Sequence, residues 1–222
     1  MRHKELSAQE LQDRIREVDR EIGAVGESAV ADYMLDQGWI RLRTPQFSRA
    51  MMAVGVQETA GQSPEKFIDR AFWRHHEDGT EEWELIQVKT TCVHTDSVSR
   101  LSVFLPRHVQ ERYITYTKAI IDEIDNNELT PFPDLVKVNL YIANRKGVFR
   151  IDIMDMTKHS IRNGKSPILH VDREWCDPVR NWTDEERVEY ESLCDEKRRY
   201  DRLRKKHLEN PHQLPLRLGG AM

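Results

Sequence analysis

Asp69, Gln87 and Lys89 are the residues of this chain whose types and spacing suit chemistry. Asp69 lies within FIDRAF, and Gln87 and Lys89 lie within ELIQVKTT. These runs belong to two strand-like segments, residues 66–73 and 82–92. The HHEDGT between them contains Asp78-Gly79, a pair that favours a hairpin turn. Residues two apart on a strand share a face, so Gln87 and Lys89 project together, and a hairpin sets Asp69 beside them. A lysine on a central strand with apolar neighbours is costly unless a carboxylate or an anion answers its charge. An acid and a lysine converging at the ends of adjacent strands suit phosphodiester hydrolysis. The acid holds Mg²⁺, the ion polarises the phosphate and activates water, and the lysine orients that water or stabilises charge.

The elements that must position these groups follow from periodicity. Ser7, with Glu10 three residues on, forms a capping box for a long helix. Leu11, Ile15, Val18, Ile22, Val25, Ala29, Val30, Tyr33 and Met34 make its apolar stripe. Gly23 and Gly26 either divide this helix or let another backbone come close, and Gly38 suits its C-terminus. WIRLR (39–43) alternates like a short half-buried strand. Residues 44–65 lack a sustained period and are either partly helical around 50–54 or a functional loop. Residues 105–124 predict a helix, and 136–143 and 147–153 a strand pair around the turn at 144–147. A helical patch at 154–163 and a proline-containing connection lead to a last helix opened by Thr183 and running to about residue 208. The order is α-β-β-β-α-β-β with a helical tail: a core over 1–153 and a helical extension over 154–222.

This order and these residues resemble the PD-(D/E)XK nuclease superfamily over about residues 22–153. The resemblance implies an α/β fold with an αβββαβ core, a mixed central sheet flanked by helices. The family's first-strand aspartate corresponds to Asp69, preceded by Ile68 rather than proline, and its (D/E)-x-K triplet to Gln87-Val88-Lys89. Its helix-borne glutamate corresponds to Glu27 in GESAVADYMLDQGW. A Gly-Glu helix followed by a Gly-aromatic turn is similar to the Holliday-junction-resolvase and restriction-enzyme branches. Glutamine in the triplet is similar to the Q-x-K form of modification-dependent restriction enzymes of the Mrr kind. The resemblance implies Mg²⁺ or Mn²⁺ held by Asp69, Glu27, Gln87 and the Val88 carbonyl. It also implies a catalytic Lys89 and endonucleolytic cleavage of DNA in repair, recombination or restriction. The products would be a 5′-phosphate and a 3′-hydroxyl.

The amide of Gln87 replaces an anionic ligand by a neutral one, which lowers the expected metal affinity. It leaves open a degenerate nuclease fold that binds nucleic acid or a protein partner without cleaving. A third reading is an assembly protein that docks through its terminal helix and tail. Taken singly, the residues have plainer readings: Glu27 as a solvated helix residue, Asp69 paired with Arg70 or Arg41, Lys89 snorkelling from a strand end. His75 and His76 point to opposite faces of a strand, so one ion would rarely take both, and the turn reading is preferred. Thr90 and Thr91 suit strand propensity better than phosphate binding.

The last helix is acidic early and basic late. Its gradient complements the helix dipole, yet Lys197, Arg198, Arg199, Arg202, Arg204, Lys205 and Lys206 exceed what capping needs and suit a phosphate backbone. The tail segment Gln213-Leu214-Pro215-Leu216-Arg217-Leu218 resembles the Q-L-x-L-x-L peptide that docks on the bacterial sliding clamp. Cutting both strands of a duplex would make a homodimer useful.

Composition bounds these readings. Across 222 residues, 34 Lys+Arg against 38 Asp+Glu give a net charge of −4, which excludes a uniformly basic coat but not a local patch. Mean hydropathy of −0.71 and no apolar run of about 18 residues argue against a spanning helix. The N-terminus lacks an apolar signal region. Three widely spaced cysteines (Cys92, Cys176, Cys194) offer no disulfide framework or zinc knuckle and suit a reducing cytoplasm.

Overall fold

A computed structural model describes residues 7–42, 44–54, 68–92 and 99–209. The first helix, α1 (Ala8–Asp36), carries the capping box: Ser7 accepts from the Glu10 N–H and Glu10 accepts from the Ser7 N–H. It is continuous through Gly23 and Gly26. Gly38 just beyond it has φ +79°, the left-handed conformation that ends helices cheaply. Next come β1 (Ile40–Arg41) and α2 (Thr44–Ala53). The hairpin of β2 (Arg70–His75) and β3 (Glu81–Thr90) closes through Asp78, whose side chain accepts from the Thr80 N–H at 2.9 Å, with Gly79 at φ +85°. After β4 (Arg100–Phe104) and α3 (Arg107–Asn126), β5 (Leu135–Asn144) and β6 (Gly147–Asp152) form the second strand pair. Then follow α4 (Ile153–Lys158), β7 (Ser160–Arg162), β8 (Ile168–Asp172), β9 (Asp177–Arg180) and α5 (Asp184–Glu209).

The fold is mixed α/β. Six strands form the central sheet in the order β1-β2-β3-β5-β6-β9, and β4-β8-β7 form a smaller antiparallel sheet. Among the described strands of the large sheet only β3 and β5 run parallel, with α3 in the crossover that a parallel pair requires. Leu85, Leu140 and Ile142 point to the face covered by α2, α3, α4 and the small sheet. Ile86, Val88, Tyr141 and Ala143 point to the face covered by α1 and α5. The C-terminal helix opens on its own capping box between Thr183 and Glu186 and is anchored by Trp182, whose indole N–H donates to the Asn144 carbonyl at 2.6 Å.

Three expectations are corrected. The stretch after 153 is not all helical: α4 is one short helix, and β7, β8 and β9 follow, with β9 completing the large sheet against β6. Short strands with single inward residues such as Leu169 and Val171 lack a period long enough to stand out. The run 82–92 reads in sequence as nearly apolar on both faces, as a central strand would, yet β3 is not simply apolar. Glu82 and Glu84 are both buried, Glu82 bonded to Arg74, His76 and Lys137, and Glu84 to Asn139 and Tyr141. Cys92 and Cys194 form a disulfide, because the end of β3 and the middle of α5 meet beside α1. This pairing removes the argument for a reducing compartment. Cys176 is free and buried, and burial pushes its thiol up to about 12. Among the described residues, no helix is long and apolar enough to cross a membrane.

Gly26 is where α1 meets the sheet. A Cβ added there would overlap Thr90 Oγ1 and sit 3.2 Å from Ala143 Cβ. Alanine normally stabilises a helix interior over glycine by about 1 kcal/mol. Here Gly26→Ala is expected to reverse that sign and cost about 1–3 kcal/mol by overpacking. Thr90→Ala should relieve the clash at little cost, since Thr90 Oγ1 is buried without a partner among the described residues. Urea unfolding of the single and double variants reads both effects.

Candidate active site

Four groups come together at the end of the hairpin. Asp69 sits just before β2, its N–H donating to the Ile86 carbonyl at 2.8 Å, so its side chain faces β3. Its Oδ2 accepts the Val88 N–H at 2.7 Å and a hydrogen bond from Gln87 Nε2. Gln87 is 2% exposed, and its Nε2 also lies 3.3 Å from the Val88 carbonyl oxygen. Lys89, one step along the same face of β3, is half-buried and interacts electrostatically with both Asp69 and Glu27. Glu27 reaches the same strand ends from α1, in Coulombic range of Asp69. The hairpin therefore brings Asp69, Gln87, Val88 and Lys89 together, with Glu27 in Coulombic range on the α1 side and tied to Arg70. A cleft of about 380 Å³ opens there, lined by Arg41, Phe47, Asp69 and Arg70 among others.

The protonation of the site follows from its burial. Desolvation lifts the Asp69 carboxyl above the ordinary aspartate range, and the Val88 N–H, Lys89, Arg70 and Gln87 only partly offset it. Glu27 is raised too, by desolvation and then by the Asp69 charge. A folded protein that keeps these protons to higher pH than its unfolded chain loses stability as pH climbs from the ordinary carboxyl range through the raised one. Asp69→Asn is therefore expected to stabilise the metal-free fold by about 0.5–2 kcal/mol at neutral pH, the usual sign at strained functional sites. The gain should vanish in acid, below the ordinary carboxyl range. Thermal melts in EDTA across pH check this, and a variant less stable than wild type at pH 7 would contradict it.

The donor set fits a hard divalent cation. The Gln87 amide oxygen is buried and has no partner among the described residues, while its Nε2 faces Asp69 Oδ2 and the Val88 carbonyl. A half-turn of the amide would send three oxygens to one point, an arrangement that is repulsive unless a cation sits among them. Oxygen donors of this kind suit Mg²⁺ or Mn²⁺. Among the described residues no cluster of three His, Cys, Asp or Glu side chains stands ready for a metal. The set here supplies a single carboxylate beside an amide and a main-chain carbonyl.

Two neighbours of the site take parts that the sequence does not assign them. Arg70 is read from the sequence as a partner of Asp69. It instead places Nη2 3.0 Å from Glu27 Oε2, with Nη1 donating to the Asp69 main-chain carbonyl at 2.9 Å. Tyr113, on the buried side of α3, lies in Coulombic range of Asp69; burial and then that charge lift its hydroxyl well above the usual phenol value. Nothing in its spacing separates it from an ordinary core aromatic.

Other candidates fall elsewhere. His76 bonds to Glu82 at 3.0 Å and His75 packs edge-on against Trp73, so both serve the hairpin. Thr90 faces Gly26, and the Thr91 carbonyl accepts from Tyr190 at 2.5 Å. The basic stretch of α5 does not join the site. The helix runs antiparallel to α1, with Arg180 just ahead of it donating to the Ala29 carbonyl, Lys197 paired with Asp19 and Glu196 lying 3.7 Å from Arg14. Arg14 is about 20 Å along α1 from Glu27 at the helical rise per residue. Lys197 is thus used in packing α5 onto α1, and Arg198 pairs with Asp195. Arg199, Arg202, Arg204, Lys205 and Lys206 are exposed. The segment with Gln213, Leu214, Leu216 and Leu218 lies outside the described residues.

No protein-family model matches the sequence, and no curated protein or solved structure matches it either. The functional reading rests on the fold and the site.

Proposed function

We propose that this chain is a metal-dependent endodeoxyribonuclease of the PD-(D/E)XK type. The observation that carries the reading is the meeting of Asp69, the Gln87 amide and the Val88 carbonyl beside Lys89. Asp69, Gln87 and the Val88 carbonyl would hold Mg²⁺ or Mn²⁺, which when bound supplies a Lewis acid for the phosphate and for the attacking water. The Lys89 ammonium orients that water and offsets the negative charge that grows on the phosphate. The Val88 N–H holds the Asp69 carboxylate in place. The exposed cations of α5 follow Glu196, which lies beside Arg14 about 20 Å along α1 from Glu27, so any DNA backbone they contact would lie away from the scissile phosphate.

The tie between Glu27 and Arg70, with Gln87 already satisfying Asp69, favours one other reading: a nuclease fold that binds nucleic acid or a partner without cutting. Product chemistry tests the proposal. Cut ends should carry 5′-phosphate and 3′-hydroxyl and be resealed by a DNA ligase without end repair. Products bearing 3′-phosphate would rule out this mechanism, and metal-independent binding with no product would favour the other reading.

A further inference from the structure

We infer that Arg70 holds Glu27 off the metal, so that the site takes one divalent ion at Asp69, Gln87 and the Val88 carbonyl and uses the guanidinium as its second positive charge. This rests on the nuclease reading and names how that site sets its metal requirement. Asp69 and Arg70 are consecutive, yet they serve different sides of the sheet. Asp69 turns to Val88 and Gln87 on β3, and Arg70 turns to Glu27 on α1. The guanidinium is fixed at two points, Glu27 Oε2 at 3.0 Å and the Asp69 carbonyl at 2.9 Å. Its Nε is buried with no partner among the described residues. A buried unsatisfied donor is a cost that native structures rarely carry without a reason, and here the guanidinium is held on Glu27 and on the Asp69 main chain.

The charge balance supports the same conclusion. The Asp69 charge disfavours the ionised form of Glu27. A second metal would relieve that repulsion only when its concentration allowed, whereas a guanidinium is charged at every working pH. Glu27 and Asp69 are balanced by Arg70 and Lys89, so one divalent ion leaves the positive excess that a doubly charged pentacovalent phosphate needs. Arg70 thus positions Glu27 and adds its own positive charge beside the site. The pair remains reachable from solvent, with side chains 39% and 31% exposed, so added ions can compete for Glu27.

Calorimetric titration of the full chain with Mn²⁺ and with Ca²⁺, without DNA, tests this alongside single-turnover cleavage. Wild type should take one ion, and Glu27→Gln should change its affinity by less than about threefold, since an ion-paired carboxylate is not a ligand. Arg70→Gln should tighten Mn²⁺ about tenfold or admit a second ion, because Glu27 becomes free to bind. Glu27→Gln/Arg70→Gln should lose that gain, the non-additivity expected of a coupled pair. Cleavage should nevertheless fall about 10-fold to 100-fold in Arg70→Gln and partly recover in Arg70→Lys, as for removal of a preorganised charge. Arg70→Lys also keeps the test open should Arg70→Gln fold poorly. Glu27→Gln weakening Mn²⁺ as much as Asp69→Asn would overturn the inference, and so would Arg70→Gln leaving the titration unchanged. A wild type that takes up no ion and cuts no DNA would overturn the nuclease reading as well, which separates the two failures.

Discussion

Lys89→Ala is expected to slow DNA cleavage in Mg²⁺ by at least about 100-fold, the effect of deleting one preorganised charge or proton-handling group from an active site. Metal affinity should hold or rise, because the variant removes a cation from beside Asp69 and Glu27. Lys89 is placed for this role by two neighbours. It shares the face of β3 with Gln87, and its partner on β5 is Ile142, which packs in the core and fixes the strand's depth. Lys89→Arg should recover only part of the rate, since a planar fork cannot occupy the place of a compact ammonium. A lysine present only for structure would behave differently: Lys89→Met would leave cleavage intact and change the melting temperature alone. Single-turnover rates beside thermal melts separate these outcomes.

Reduction of Cys92–Cys194 should lower the melting temperature by about 5–15 °C. The bond spans 102 residues. A crosslink closing so long a loop typically stabilises by about 2–4 kcal/mol through the unfolded chain. For a chain of this length each kcal/mol moves the midpoint by about 2–4 °C. Cys194→Ser should reproduce the loss and abolish the response to reductant. Cys176 is buried with its thiol bonded to the Asp172 carbonyl, so Cys176→Ser should leave that response unchanged. The bond matters to the site because Cys92 follows Lys89 by three residues and ties the end of β3 to the helix that clamps α1. A melting temperature indifferent to reductant would contradict this account of how α5 is held.

Much of the site was legible because its residues sit on strongly patterned elements. The 3.6-residue stripe from Leu11 to Met34 placed Glu27 on a helix, and Asp78-Gly79 fixed the hairpin that joins Asp69 to Gln87 and Lys89. Gly26 announced a close approach, although spacing alone could not say whether the helix broke there. What stayed hidden depended on partners distant in sequence. The burial of Glu82 and Glu84 in β3 depends on Lys137, Asn139 and Tyr141 of the parallel neighbour β5, which lie more than 50 residues away in sequence. Cys92 and Cys194 paired across the packing of α5 on α1, which cysteine spacing cannot report. Arg70 was visible as a neighbour of Asp69, but its turn toward α1 depends on which side of β2 faces that helix. The strands β7, β8 and β9 were missed because each offers too few alternations to outweigh the helical reading of the segment.

Cleavage of a panel of labelled DNAs (linear duplex, four-way junction, flap and single strand) in Mg²⁺ or Mn²⁺ tests the central claim most directly, with wild type run beside Asp69→Ala. The account predicts that wild type cuts at least one of these DNAs, that EDTA stops it, and that Asp69→Ala does not cut although it remains folded. Wild type that binds DNA but cuts none of the panel with either ion, or Asp69→Ala that cuts as fast as wild type, would contradict it.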